Sequence, residues 1–336
     1  MTVSDAPSTG DVRSRPAADV SVIICAYTLD RWELLGAAID SVLEQSVVPR
    51  ELFLSIDHND ELLERCREQW GGAAGAGEVP IRIVANAYDG HLGSARTTAA
   101  EMAVGEYIAF LDDDAAAEPD WLERMLKPFE DPGVIAVGGC PLPNFSVPRP
   151  GWFPPEYDWV FGCFYVGLPT TTAPIRHVIG AAMAVRRADL AAIGYFHSDN
   201  HDDMDMCHRL LDKEPDSQIL FEPSAVVRHY VHPNRLTWSY FWRRCFWVNR
   251  GKVAAFRQMG EARNLTAERR FARQALTRGV SRGTRELLHG DVSGGSRAAV
   301  ICIGLALAGS GYAYGSLEWA VTSRRRRRAG AGAATG

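Results

Sequence analysis

The chain has 336 residues, 46% of them hydrophobic and 23% charged, with a formal net charge of −5. That length suggests roughly two domains, the composition supplies enough apolar side chains for a sizeable core, and the negative balance argues against a general nucleic-acid binder. The 7 cysteines are scattered and contain no CxxC pair, which fits a reducing compartment with neither a disulfide framework nor a zinc site.

Residues 1–18 are polar, rich in Ser, Pro and Ala, and lack the apolar centre of a signal peptide, so a disordered lead-in is expected there. A strand-like run over 20–27 opens the regular pattern. A helical period then passes through Trp32, Leu35, Ile39 and Val42. A second strand over 51–56 ends at Asp57. A helix over 60–70 closes at Gly71-Gly72, and a third strand covers 81–84. After a loop at 86–93 come a helix over 94–103 and a strand over 107–111. Strand and helix alternate with short joins, which predicts a parallel sheet built from right-handed crossovers. Pro119 is placed as the first residue of the next helix, and another strand is expected over 134–139. The pattern then breaks. Residues 141–174 are rich in proline and aromatics, a composition suited to a functional loop. Those aromatics either stack on a sugar or lipid or pack as a satellite core.

The most telling stretch is Tyr107-Ile108-Ala109-Phe110-Leu111-Asp112-Asp113-Asp114. An apolar strand ends abruptly in carboxylates, which repel one another and are costly to bury. A hard divalent cation, which prefers oxygen ligands and shares its shell with phosphates, offsets that cost. Ligands of open α/β sheets bind at the carboxyl ends of strands, where these aspartates fall. A second acidic run, Asp202-Asp203-Met204-Asp205, reads as a helix start whose positive end favours carboxylates.

With these blocks in order, the chain resembles the family 2 glycosyltransferases of GT-A fold over about 20–232. The resemblance rests on Ser21-Val22-Ile23-Ile24-Cys25-Ala26-Tyr27, on Ile56-Asp57, on Phe110-Leu111-Asp112-Asp113-Asp114 with Pro119-Asp120-Trp121, and on Asp202-Asp203-Met204-Asp205 with His229. Finer wording is similar to archaeal enzymes that transfer glucuronic acid onto glucosyl-dolichyl phosphate. It lies in the residues from Asp114 to Trp121, in Ala136-Val137-Gly138-Gly139, in Trp152-Phe153-Pro154-Pro155-Glu156 and in Gly311-Tyr312-Ala313-Tyr314-Gly315. The resemblance implies an α/β fold with a Rossmann-like, mostly parallel sheet flanked by helices. It implies a DXD-type metal site at Asp112 and Asp114 with His229, holding Mg²⁺ or Mn²⁺. It also implies nucleotide-sugar contacts, with UDP-sugar as the expected donor, at Ala26, Tyr27, Asp57, Arg96, Asp112 and Asp113. Asp203 takes the position of the catalytic base, and Asp202, Gly180 and Ala181 fall on the acceptor side. The chain departs from the family pattern at His58, at Gly90 and at His91-Leu92.

A sugar hydroxyl needs a base to take its proton as the new bond forms. One base and no second nucleophile implies inversion at the anomeric carbon. Two other classes remain at this point: a non-catalytic nucleotide-sugar binder, and a transferase acting on a soluble acceptor. A nucleotidyltransferase fits poorly, because Thr28-Leu29-Asp30-Arg31 is not a glycine- and basic-rich phosphate loop.

The expected organisation is a lead-in over 1–18, a GT-A domain over 19–235, and a helical membrane-associating region over 236–336. In the last, aromatic and basic residues mix over 236–257, an apolar stretch covers 298–321, and Arg324 to Arg328 follow. This combination suits a membrane interface with anionic lipid, by a shallow or re-entrant segment rather than a crossing. Glu318 and the glycines of the stretch weigh against a crossing. The expected acceptor is a polyprenyl- or dolichyl-phosphate-linked sugar, one sugar added per encounter, at the cytoplasmic face of the membrane.

Overall fold

The computed structural model describes residues 15–72, 75, 78–197, 201–258 and 261–333, with backbone alone over 254–267 and 324–333. Most of the expected lead-in, 1–14, lies outside the described residues.

Strand and helix alternate from β1 (Ala17–Ala26) through α1 (Trp32–Leu43), β2 (Val48–Ile56), α2 (Asp60–Trp70), β3 (Ile81–Ala85) and α3 (Leu92–Met102) to β4 (Tyr107–Asp112), and a second strand, β5 (Ala115–Ala117), precedes α4 (Trp121–Leu126). Then follow β6 (Val134–Phe145), β7 (Ala173–Ile175), β8 (Ala182–Arg186), α5 (Arg187–Ala192), α6 (Asp202–Lys213) and β9 (Gln218–Val231). The sheet order is β3-β2-β1-β4-β8-β6-β9-β5, with β7 beside β9. Strands β3, β2, β1 and β4 run parallel. From β8 onward the pairing is antiparallel, as in β4–β8, β6–β8 and β5–β9. The parallel half was legible from its alternation with helices. The antiparallel half was not, because short strands without crossover helices leave no such rhythm.

Both faces of the parallel half are covered, so its strands are apolar throughout. Val20, Val22 and Ile24 of β1 pack with Leu52, Leu54 and Ile56 of β2 against Leu35, Ile39 and Val42 of α1 and Leu62 of α2. The alternate residues Ile23, Phe53, Ile108 and Phe110 face Ala99 and Ala100 of α3 and Met206 and Leu210 of α6. Helix α4 begins at Trp121 with Asp120 at its N-cap, so Pro119 precedes the helix rather than opening it.

The chain divides into two compact units. One joins the residues up to Pro141 with Thr170–His229, and the other joins Leu142–Pro169 with the residues from Tyr230 on. The second unit contains α7 (Trp238–Gln258), α8 (Glu261–Gln274), α9 (Ser281–Leu288) and α10 (Val292–Ala333). Its core is aromatic: Phe153, Tyr157, Phe161 and Phe241 are buried together with Cys245, Val300 and Ile301. Phe153 and Phe241 meet edge to face at 5.5 Å. The aromatics of 141–174 that line this core are therefore packing residues. Trp247 stays 50% exposed on α7.

Helix α10 is long and apolar enough, by length and composition, to cross a membrane over Val292–Ser323. At 1.5 Å per residue those 32 residues span roughly 48 Å. Its glycines have a specific use. A Cβ at Gly311 would collide with the Phe246 carbonyl oxygen of α7, and one at Gly315 would come within 2.6 Å of the Arg250 carbonyl oxygen. Glu318 is paired with Arg250 through two bonds of 2.7 and 2.9 Å. The close approach of α7 and α10 thus explains residues that look out of place in an apolar stretch. Gly311→Val is expected to cost roughly 1–3 kcal/mol by overpacking this contact, read as a lowered thermal midpoint of the full chain. An unchanged midpoint would contradict that packing.

Candidate active site

The parallel strands β1, β2 and β4 end on one edge of the sheet. Strand β8 runs the other way, so its start lies at the end of β4, where the Asp112 N–H donates to the Ala181 carbonyl. This register places most of the candidate residues. Ala26 ends β1 and is buried, while the next residue, Tyr27, is 56% exposed. Asp57 follows β2, and its N–H donates to the Ala26 carbonyl at 2.8 Å. Asp112 ends β4, and Asp113 and Asp114 make the turn into β5. His229 sits on β9 directly opposite Ala115 of β5. Gly180 and Ala181 lead into β8, and Asp202 and Asp203 open α6.

Asp112, Asp114 and His229 converge. One ligand atom from each lies within 4.8 Å of the others. His229 Nε2 is 2.9 Å from Asp114 Oδ1 and 4.0 Å from Asp112 Oδ2. Two carboxylate oxygens and one imidazole nitrogen at this spacing suit a divalent cation of intermediate hardness. Asp113 points elsewhere. Its Oδ1 accepts from Arg31 at 2.6 Å, while its Oδ2 is buried with no hydrogen-bond partner. Burial pushes the Asp113 carboxyl up to about 7, with Asp114 and Asp112 adding to the rise and Arg31 opposing it.

Arg96 lies beneath this edge and is only 3% exposed. Its Nη1 donates to Asp202 Oδ2 at 2.8 Å. Its Nη2 donates to Asp112 Oδ1 at 3.1 Å and to the Gly180 carbonyl at 2.8 Å. Burial opposes the charge on Arg96, but Asp202 and Asp112 outweigh it, so the guanidinium is held firmly protonated. The Gly180 N–H donates to Asp203 Oδ2 at 2.9 Å, and the Met204 N–H donates to Asp203 Oδ1 at 2.7 Å. A Cβ at Gly180 would lie 3.1 Å from Arg96 Nη1 and 3.3 Å from Asp203 Oδ2, so a side chain there would press on both. Burial, then repulsion from Asp202, raises the Asp203 carboxyl to about 6 against the pull of Arg96. Asp205 instead pairs with Arg209 one turn along α6 at 2.8 Å.

Asp57 stands in a separate hydrogen-bonded group. Its Oδ1 accepts from Asn86 Nδ2 at 2.8 Å and meets His58 Nδ1 at 2.7 Å. His58 has a left-handed backbone, φ 49°. A Cβ at Gly90 would come within 3.1 Å of His58 Nδ1, so the two departures from the family pattern meet in space. His91 caps α3, accepting from the Ser94 N–H at 3.2 Å, which gives the third departure a structural task.

Sequence reasoning passed over Arg31. It pairs with Asp113 at 2.6 Å and with Asp114 at 3.1 Å, and its guanidinium lies 5.4 Å from the Tyr27 ring centre. The available signal was a lone cation at the start of α1, four positions after the strand-end tyrosine.

The description "Glycosyl transferase family 2" matches residues 21–194. A Haloferax volcanii glucosyl-dolichyl phosphate glucuronosyltransferase is 28% identical over 243 residues, which are 69% of this chain and 76% of that protein. A pre-mycofactocin glycosyltransferase of Mycobacterium tuberculosis is 28% identical over 144 residues, 40% of this chain and 29% of that one. Among solved structures, a Pyrobaculum calidifontis mannosyltransferase in complex with GDP-Man and Mn²⁺ superposes with a TM-score of 0.57 at 18% identity, over 90% of this chain and 89% of that one. The chain belongs to glycosyl transferase family 2 and is a glycosyltransferase of GT-A fold.

Proposed function

We propose that this enzyme transfers one sugar, with inversion, from a nucleoside-diphosphate sugar to a hydroxyl of a polyprenyl- or dolichyl-phosphate-linked sugar at the cytoplasmic face of a membrane. The observation that carries the reading is the convergence of Asp112, Asp114 and His229 on the sheet edge that Arg96 ties to the Asp202–Asp203 helix start. A cation held there supplies Lewis-acid stabilisation of the diphosphate leaving group. The donor set fits such an ion, and the imidazole nitrogen favours Mn²⁺ over Mg²⁺.

In this reading Ala26, Tyr27 and Asp57 receive the nucleotide, UDP being the first candidate, and Asp113 borders it. Arg96 serves the donor through Asp112 rather than by direct contact, since its guanidinium is already engaged. Asp203 is the base. Asp202 is committed to Arg96, whereas Asp203 is held by two backbone N–H groups that fix its orientation. Asp203 takes the acceptor hydroxyl proton as the oxygen bonds to the anomeric carbon, and the bond from that carbon to phosphate breaks with its electron pair leaving on the nucleoside diphosphate. Gly180 and Ala181 stand on the acceptor side of Asp203, and the lack of a side chain at Gly180 lets Arg96 and Asp203 close on its backbone.

Membrane attachment is supported by the second unit and by the Haloferax volcanii relative, whose name specifies a dolichyl phosphate acceptor. Exposed Trp247, Tyr314, Leu317 and Val321 give α7 and α10 apolar surface. Along 304–315, α10 packs on Tyr157, Phe246 and Arg250, so part of its circumference is taken by protein. A single crossing by α10 would carry α7, with its basic side chains, into the bilayer beside it, because Phe246 and Arg250 pack along Gly311 and Gly315. An interfacial lie keeps both at one anionic surface.

Excess chelator is expected to abolish transfer, with Mn²⁺ restoring more activity than Mg²⁺; full activity in chelator contradicts the cation site. Asp203→Asn should cut turnover by about 10²-fold or more with donor affinity nearly unchanged. Because the raised Asp203 carboxyl is protonated below about 6, wild-type kcat/KM should fall as pH drops through that value. The residual activity of Asp203→Asn should lack that limb, and a limb retained in the variant assigns the base elsewhere. Trp247→Ser with Leu317→Ser should weaken flotation with anionic vesicles and reduce transfer to a lipid-linked acceptor more than to a short soluble analogue. Equal loss on both acceptors, or none, favours a soluble acceptor.

A further inference from the structure

Arg31 stands at the sheet edge without a task in the proposed chemistry. Its guanidinium reaches Asp113 Oδ1 and Asp114 Oδ2, and Asp114 is one of the three residues that converge on the proposed cation position. Both aspartates are nearly closed to solvent, with side chains 5% exposed, whereas the Arg31 side chain is 22% exposed and stands beside the exposed ring of Tyr27. Arg31 thus supplies the charge that makes these carboxylates tolerable when no other cation is present. Burial opposes its own charge, and Asp113 and Asp114 hold it protonated all the same.

We infer that Arg31 is an interchangeable counter-ion, which occupies Asp113 and Asp114 in the metal-free enzyme and passes to the donor diphosphate when the divalent cation binds. This rests on the cation site proposed above. Arg31 Nη1 lies 3.1 Å from Asp114 Oδ2, so an ion bound to Asp114 would sit within a few ångströms of a like charge. Two cations crowded there repel unless one moves or an anion arrives. A nucleoside diphosphate is the anion the reaction brings, and the planar guanidinium matches phosphate oxygens as well as it matches carboxylates. The side chain has the freedom to move that the buried Arg96 lacks. Asp113 Oδ2, buried without a partner, shows that this set of carboxylates is only partly satisfied by Arg31. The consequence is coupling: metal binds weakly alone and tightly with nucleotide, and by linkage nucleotide depends on metal to the same degree.

The test is Mn²⁺ binding to the full-length protein, read from the electron paramagnetic resonance signal of free Mn²⁺, with and without UDP or GDP. Arg31→Met should tighten Mn²⁺ binding without nucleotide by about tenfold or more, and should shrink the enhancement by nucleotide by a similar factor. Arg31→Gln, which keeps a donor for Asp113 and loses the charge, should behave alike and guards against a folding defect in the first variant. Unchanged or weaker Mn²⁺ binding in a folded Arg31 variant overturns the inference while leaving the cation site standing. If Asp114→Asn binds Mn²⁺ as the wild type does, the cation site and the inference fall together.

Discussion

The site depends first on one buried guanidinium. Arg96 joins the end of β4, the start of β8 and the start of α6 through Asp112, the Gly180 carbonyl and Asp202. A lone charge at this depth would be prohibitive, and so would the carboxylates without it. The cluster is therefore tolerable only as a set, and the set fixes where the strand-end aspartates and the helix-start aspartates stand relative to each other. Removing one partner leaves the others buried and uncompensated, a loss on the order of 3–5 kcal/mol. Gly180 is the narrow point of the arrangement, since its N–H holds Asp203 and its carbonyl holds Arg96.

The electrostatics follow from that frame. Asp112, Asp113 and Asp114 are packed at one turn, and two arginines from different helical elements meet them from different sides. Arg96 is locked in place, and Arg31 stands closer to solvent. Under the proposed function this asymmetry has a use: the fixed cation preserves the geometry while the movable one answers to ligands. The same cluster leaves Asp203 raised toward the pH range in which a general base is effective, because burial and Asp202 outweigh Arg96 there.

The first four strands and their helices were legible because apolar runs, caps and turn residues agree at every level along 17–112. The acidic ends of β4 and α6 stood out in the sequence because no packing argument explains them. Contacts that join distant segments were not legible. The Asp202–Arg96 bond spans 106 positions, and nothing local to either residue announces it. Arg31 was read only as a poor match to a phosphate loop, since its partners lie 82 and 83 positions away. The aromatics of 141–174 all belong to the second unit, and their buried members were indistinguishable in sequence from surface aromatics. Gly311, Gly315 and Glu318 looked like faults in an apolar helix until α7 was found against them.

The most direct measurement of the central claim is anomalous diffraction at the manganese edge from crystals grown with Mn²⁺ and a nucleoside diphosphate. One strong peak is expected within coordinating distance of Asp112, Asp114 and His229, beside the diphosphate. A nucleotide bound at Tyr27 and Asp57 with no peak there, or with the ion held by other residues, would contradict the claim.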